Sequence, residues 1–321
     1  MADSTSRLEE SAMIHDTHAF DDILQQARAL GTLPMAVAHP CSRESLLGAV
    51  EAAENGIATP ILVAPLPRLQ KLADELEVDL GRFECIDVEH SHAAAERAVQ
   101  LTRDGYADIL MKGSLHTDEF MSAALARDTG IRTDRRISHV WIMKVESYPR
   151  YLFITDAAVN IEPDLMTKRD ICQNAIDLTH ALGIAQPKVA ILAAVETINP
   201  DMRSTLDAAA LCKMAERGQI TGAILDGPLA FDNAISKEAA DSKGIVSPVA
   251  GDPDILLVPD LEAGNMLGKQ LTYLAQAASA GIVMGARVPM VLTSRADDAS
   301  GRLASSAIAN LLAHKRRGGR S

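Results

Sequence analysis

The chain has 321 residues, 47% of them hydrophobic, and a formal net charge of −12. That length suggests two domains, and that charge argues against nucleic acid as a general partner. No apolar run approaches the ~20 residues of a membrane span, and the widely spaced Cys41, Cys85, Cys172 and Cys212 form no CxxC pair, which argues against a disulfide scaffold or a zinc cluster and fits small buried residues in a reducing cytoplasm.

The opening segment, residues 1–16, is polar and rich in acids, without the apolar core of a signal peptide, and reads as a disordered tail. Beyond it, short β-rich runs alternate with longer patterns of period 3.6. The strands expected are Met35–His39, Pro60–Ala64, Phe83–Asp87, Asp108–Met111, Val140–Lys144, Tyr151–Thr155, Lys188–Ala193, Gly222–Leu225, Asp254–Val258, Gly281–Met284 and Pro289–Leu292. The helices expected are Ser42–Glu54, His92–Arg103, Thr117–Arg127, Thr167–Leu182, Met202–Arg217, Leu261–Ala278 and Asp298–His314. Such alternation predicts right-handed βαβ crossovers and a mostly parallel sheet. The rhythm breaks at Val145–Arg150, which separates two strand-like runs with no room for a helix; this predicts an antiparallel hairpin, and a domain junction there. The closing run His314-Lys315-Arg316-Arg317 reads as a solvated helix end.

Ligands of open parallel sheets bind beyond the carboxyl ends of strands, and four turns there carry chemistry. In Met111-Lys112-Gly113-Ser114-Leu115-His116-Thr117, backbone N–H groups, two hydroxyls and Lys112 converge on an anion site. Thr117 as an N-cap and Gly113 as a tight turn is the structural alternative, and His116 is either a base or a capping residue. In Leu225-Asp226-Gly227-Pro228-Leu229-Ala230-Phe231-Asp232, Asp-Gly-Pro is turn chemistry; Asp232 reads as the next N-cap and Asp226 as the functional candidate. In Pro259–Met266, Gly264 admits a close backbone and Asn265 offers a donor and an acceptor. In Leu292-Thr293-Ser294-Arg295-Ala296-Asp297-Asp298, a strand ends in hydroxyls and a guanidinium that can grip phosphate with two parallel bonds at a helix start. A surface ion pair for Arg295, with Asp297 or Asp298 as the N-cap, is the alternative.

No GxGxxG follows a first strand, and GxxxxGK[ST], GxSxG and HExxH are all missing, so NAD, ATP and zinc chemistry lose ground. Together the turns, with Ile154-Thr155-Asp156-Ala157-Ala158-Val159-Asn160, resemble the phosphate acetyltransferase and phosphate butyryltransferase family over about residues 18–313. The likeness is nearest to acyltransferase domains that follow an enoyl-CoA hydratase domain in bifunctional proteins.

The resemblance implies an α/β fold of the isocitrate/isopropylmalate dehydrogenase type, with two α/β/α domains around a cleft. The first comprises residues 17–146 plus 288–321 and the second residues 147–287, in a homodimer without tightly bound cofactor or metal. Coenzyme A or acyl-CoA and phosphate are the substrates implied. Neither nucleic acid nor membrane is an expected partner. Carried over, Ser294 holds the carbonyl oxygen as it becomes an oxyanion and Arg295 binds phosphate, while Lys112, Ser114, His116, Thr117, Asp226, Gly264 and Asn265 bind substrate. Two positions depart from the family. Gly301, followed by Arg302, stands where the acetyltransferase branch has its acidic base, leaving Asp297 and Asp298 as substitutes. Ser122 stands where many relatives carry an Arg for coenzyme A, leaving Arg127, Arg132, Arg135 or Arg136. A decarboxylating dehydrogenase, or a CoA- or phosphate-binding protein that lost catalysis on the same fold, are the competing readings.

Overall fold

All eleven expected runs form strands in the computed structural model, which describes residues 18–292 and 299–318. The strands are β1 (Leu33–Ala38), β2 (Ala58–Ala64), β3 (Glu84–Asp87), β4 (Ile109–Lys112), β5 (Ser138–Lys144), β6 (Tyr151–Thr155), β7 (Lys188–Leu192), β8 (Ile224–Leu229), β9 (Ile255–Leu257), β10 (Ala278–Met284) and β11 (Met290–Val291). The helices are α1 (Asp21–Leu30), α2 (Arg43–Glu54), α3 (Leu66–Glu75), α4 (Ser91–Arg103), α5 (Thr117–Leu125), α6 (Leu165–Ala181), α7 (Arg203–Glu216), α8 (Phe231–Ile235), α9 (Lys237–Ser242), α10 (Leu261–Leu274) and α11 (Ala299–Gly318). The tail expected at residues 1–16 lies outside the described residues. Among them, no helix is long and apolar enough to cross a membrane.

The strands make one sheet in the order β3-β2-β1-β4-β11-β10-β5-β6-β9-β7-β8. The outer pairings are all parallel, and the three antiparallel ones, β11 with β10, β10 with β5 and β5 with β6, sit together in the middle. Two parallel blocks therefore run in opposite senses on either side of an antiparallel seam. Met35, Val37, Ile109 and Met111 are fully buried on one face, and Ala36, Ala38 and Leu110 on the other, as expected when helices cover both sides.

The hairpin at Val145–Arg150 joins β5 to β6 as expected. Residues 285–289 likewise are too few for a crossover, and β11 returns antiparallel to β10. Beyond it β11 pairs with β4, so the last strand comes back to the first block.

Several boundaries differ from expectation for identifiable reasons. Strand β10 begins at Ala278, because it pairs with β5 along its whole length, Ala278 opposite Lys144 to Met284 opposite Ser138; α10 ends earlier to leave room. Asp226-Gly227-Pro228 is not a turn but lies within β8. That is an edge strand, where a proline's missing N–H breaks no ladder. Asp232 is not an N-cap: Ala230 holds that position and Asp232 sits in the first turn of α8, paired with Lys243 at 3.1 Å. The basic C-terminal run is helical and engaged, His314 with the Gly31 carbonyl at 3.1 Å, Arg316 with the Ala286 carbonyl, and Arg317 with Asp108.

Candidate active site

The Lys112–Thr117 turn is built by backbone contact with the end of β1. Gly113 N–H donates to the Ala38 carbonyl at 2.8 Å, and Ser114 N–H to the His39 carbonyl at 2.9 Å. Ser114 Oγ lies 3.1 Å from the same carbonyl and 3.2 Å from His39 Nδ1. The approach is so close that a Cβ on Gly113 would stand 2.4 Å from the His39 oxygen. Here the glycine is required for close approach, not for its dihedral freedom. His39 has a positive φ of 55°, and burial, then the Arg68 cation, lower its pKa.

Lys112 Nζ reaches the Gly113 carbonyl at 3.3 Å. Helix α5 starts at Thr117 as expected, and its N-cap residue is His116 rather than Thr117. The His116 backbone N–H goes to Glu119 Oε2 at 2.9 Å and the His116 side chain is exposed.

A cavity of about 380 Å³ opens beside this turn. Lys112, Ser114 and Thr117 line one side of it, His139, Trp141 and Ala158 another, and the N-terminal turn of α2 closes it near Arg302 of α11. Ser294, Arg295, Asp297 and Asp298 lie outside the described residues. The chain on both sides of them, Leu292 and Arg302, lines the cavity.

Among the lining residues that the sequence reading did not single out are His139, Trp141 and Arg302. His139 and Trp141 alternate along β5 and so share a face, and their rings meet edge to face at 5.5 Å. His139 is 4% exposed, with Nδ1 unpartnered among the described residues. Burial holds its imidazole down at about 4 against the upward pull of the Asp156 carboxylate, so the ring is neutral at neutral pH. Arg302, one turn into α11, lies against Gly48 of α2 and depresses the Glu44 carboxyl, after the hydrogen bonds made by that group.

Gly264 and Asn265 stand one layer behind. A Cβ on Gly264 would lie 2.8 Å from the Asp156 carbonyl, and Asn265 Nδ2 donates to the Ala157 carbonyl at 3.2 Å. The Asp156 carboxylate accepts from the N–H groups of His139, Ala158, Val159 and Asn160 and from Asn160 Nδ2, at 2.6–3.2 Å. These contacts fix the loop whose Ala158 lines the cavity. Asp226 is not brought to this cavity: it lies in β8 at the sheet edge and accepts the N–H of Gly227 at 2.9 Å.

The far side of the same loop, Val159 and Asn160, lines a second cavity of about 450 Å³ with Arg132, Arg135, Arg136 and Arg169. Arg135 pairs with Asp177 and Arg169 with Asp170, while Arg132 and Arg136 form no salt bridge among the described residues.

Residues 92–310 match the family described as phosphate acetyl/butaryl transferase. The chain belongs to that family. It is 61% identical to a phosphate acetyltransferase of Rhizobium meliloti over 93% of this chain and 94% of the relative. It is 42% identical to a phosphate butyryltransferase of Clostridium beijerinckii over 92% and 97%. Among solved structures, a branched-chain phosphotransacylase from Enterococcus faecalis V583 aligns at a TM-score of 0.77 with 29% identity, covering 88% of this chain and 99% of that one. A 4-hydroxythreonine-4-phosphate dehydrogenase from Klebsiella pneumoniae shares the fold alone, at 0.54 and 12% over 88% and 99%. The dehydrogenase-like architecture and family membership inferred from the four turns both hold.

Proposed function

We propose that the chain catalyses reversible transfer of a short acyl group, acetyl or butyryl, between coenzyme A and inorganic phosphate, with both substrates bound at once. The observation that carries this reading is the cavity at the carboxyl end of β4, where Lys112 and Arg302 supply positive charge and Ser114 and Thr117 supply hydroxyls, in a member of this transferase family. Phosphate sits against that side. A phosphate oxygen attacks the thioester carbonyl carbon, the oxyanion forms and collapses, and the C–S bond breaks. The departing thiolate ends with the proton that the phosphate loses. In reverse, the CoA thiol, with an ordinary pKa near 8.5, gives up its proton to a carboxylate. Asp297 and Asp298 are our candidates for that base, Ser294 for holding the oxyanion and Arg295 for gripping phosphate, all four carried over from the family's motif. Proximity of two bound substrates supplies much of the rate.

Coenzyme A is a substrate here, not a resident cofactor. Its phosphates suit the arginine-lined cavity, since guanidinium recognises phosphate in bidentate fashion, and the loop 156–160 lies between the two cavities. His116, Gly264 and Asn265 complete our set of substrate-contacting or supporting positions; Asp226, at the sheet edge and outside both cavities, is not among them. We also propose the division into residues 17–146 with 288–321 and residues 147–287, supported by the return of β11 to β4, together with a cytoplasmic homodimer.

Initial rates of phosphate-dependent thiol release across acyl-CoAs from C2 to C8 test the reading. Turnover that requires phosphate or arsenate, and that Arg295→Ala abolishes, is expected. The absence of thiol release above background with every acyl-CoA, arsenate included, would sink it.

A further inference from the structure

The cavity is lined by the cations Lys112 and Arg302 and by the apolar side chains of Leu115, Trp141, Ala158 and Leu292, of which Trp141 is the one aromatic apolar ring. Trp141 is the single tryptophan of the chain, and it is wedged. On α10, a Cβ at Gly268 would fall 1.9 Å from Cζ3 of the indole. Directly across the β5–β10 pairing is Gly281, whose Cβ would lie 3.5 Å from Cδ1. His139 abuts the ring edge to face, and its own place is anchored by its backbone N–H on Asp156 and its carbonyl on the Thr155 hydroxyl at 2.7 Å. Gly268 gives the indole its slot, and Gly281, where a Cβ would stand 2.7 Å from His139 Nε2, makes room for the buried imidazole that fixes its inner edge. A large flat wall that cannot swing aside serves as a stop.

We propose that Trp141 is the acyl-length gauge of the site: the hydrocarbon end of the acyl group packs against the indole, which limits the chain that fits. The inference rests on the acyl-transfer reading above. Phosphate takes the cations, so the alkyl tail packs on the apolar lining, where each methylene buried is favourable until the ring blocks the next.

The test compares kcat/KM for C2, C4, C6 and C8 acyl-CoAs at saturating phosphate in wild type, Trp141→Leu, Trp141→Phe and Gly268→Ala. Trp141→Leu is expected to raise the C6-to-C2 ratio by about tenfold or more, with the KM for phosphate unchanged and Trp141→Phe intermediate. Gly268→Ala keeps the indole but forces it out of its slot, and is expected to shift the profile in the opposite sense, against C4. An acyl profile identical to wild type in folded Trp141→Leu, with thermal unfolding as the check on folding, overturns the proposal. The single tryptophan also reports binding without turnover: emission is expected to shift more with butyryl-CoA than with coenzyme A alone. Equal emission with both ligands overturns the gauge even if the enzyme turns over. Failure of wild type to turn over any acyl-CoA defeats the acyl-transfer reading separately.

Discussion

The two cavities on either side of the loop 156–160 are built by different rules. In the first, the positions are set by backbone: Gly113 against His39, Ser114 on the same carbonyl, and a strand end that cannot shift without breaking pairing with β1. In the second, the charge is carried by four arginines on long side chains, two of them already paired with aspartates. The first arrangement fixes atoms through the backbone itself, as bond rearrangement demands. The second collects charge with freedom of approach, which suits holding a flexible polyphosphate end. Under the proposed function, one region serves chemistry and the other capture.

The comparison can be broken most severely at Gly113. Gly113→Ala is expected to cost several kcal/mol of stability, or to displace the turn and remove activity, because its Cβ meets backbone rather than a movable side chain; thermal unfolding together with rates reads both. Next, Lys112→Ala should raise the KM for phosphate by roughly ten- to a hundredfold, the worth of a charge-assisted contact, and leave the KM for acyl-CoA within about twofold. Arg132→Ala with Arg136→Ala should do the reverse: a rise of about tenfold in the KM for acyl-CoA, kcat unchanged, and a weaker dependence of that KM on salt. A loss in kcat from the arginine pair, without a change in KM, would erase the distinction between the two cavities.

The smallest effect concerns His139. Its folded pKa lies below the unfolded value, so above about pH 6.5 both states are neutral and nothing is lost. As pH falls from about 6.5 towards about 4, the unfolded chain takes up a proton that the fold refuses, and stability declines. His139→Asn should remove that part of the acid slope in denaturant titrations at pH 7, 6 and 5. An unchanged slope would place the acid sensitivity elsewhere.

The strands were readable because parallel strands buried on both faces are apolar throughout, as Val189-Ala190-Ile191-Leu192 shows. Which strand neighbours which was less so. Strand β5 lies beside β10, far away in sequence, and no local pattern encodes that choice. Helix α3 carries prolines at Pro65 and Pro67, which suggest a loop until their place at a helix start, where a missing N–H costs nothing, is recognised. The site was legible where glycine, hydroxyl and cation punctuate a strand end, as in Lys112-Gly113-Ser114. Trp141 was hidden because alternation within a strand reads as core packing, His139 because the expected strand began after it at Val140, and Arg302 because an arginine near a helix start reads as surface.

Asp156 bears on how the two substrates sense each other. Its carboxylate is spent on five N–H groups, which leaves little acceptor capacity for a ligand and makes the loop behind it one stiff plate. Ala158 faces one cavity, and Val159 and Asn160 the other. With a ligand in each cavity, as proposed, whatever one does to the other's affinity through this loop is returned with the same coupling free energy. Order of addition, measured as coenzyme A affinity with and without phosphate, is then a readout of a single partition wall.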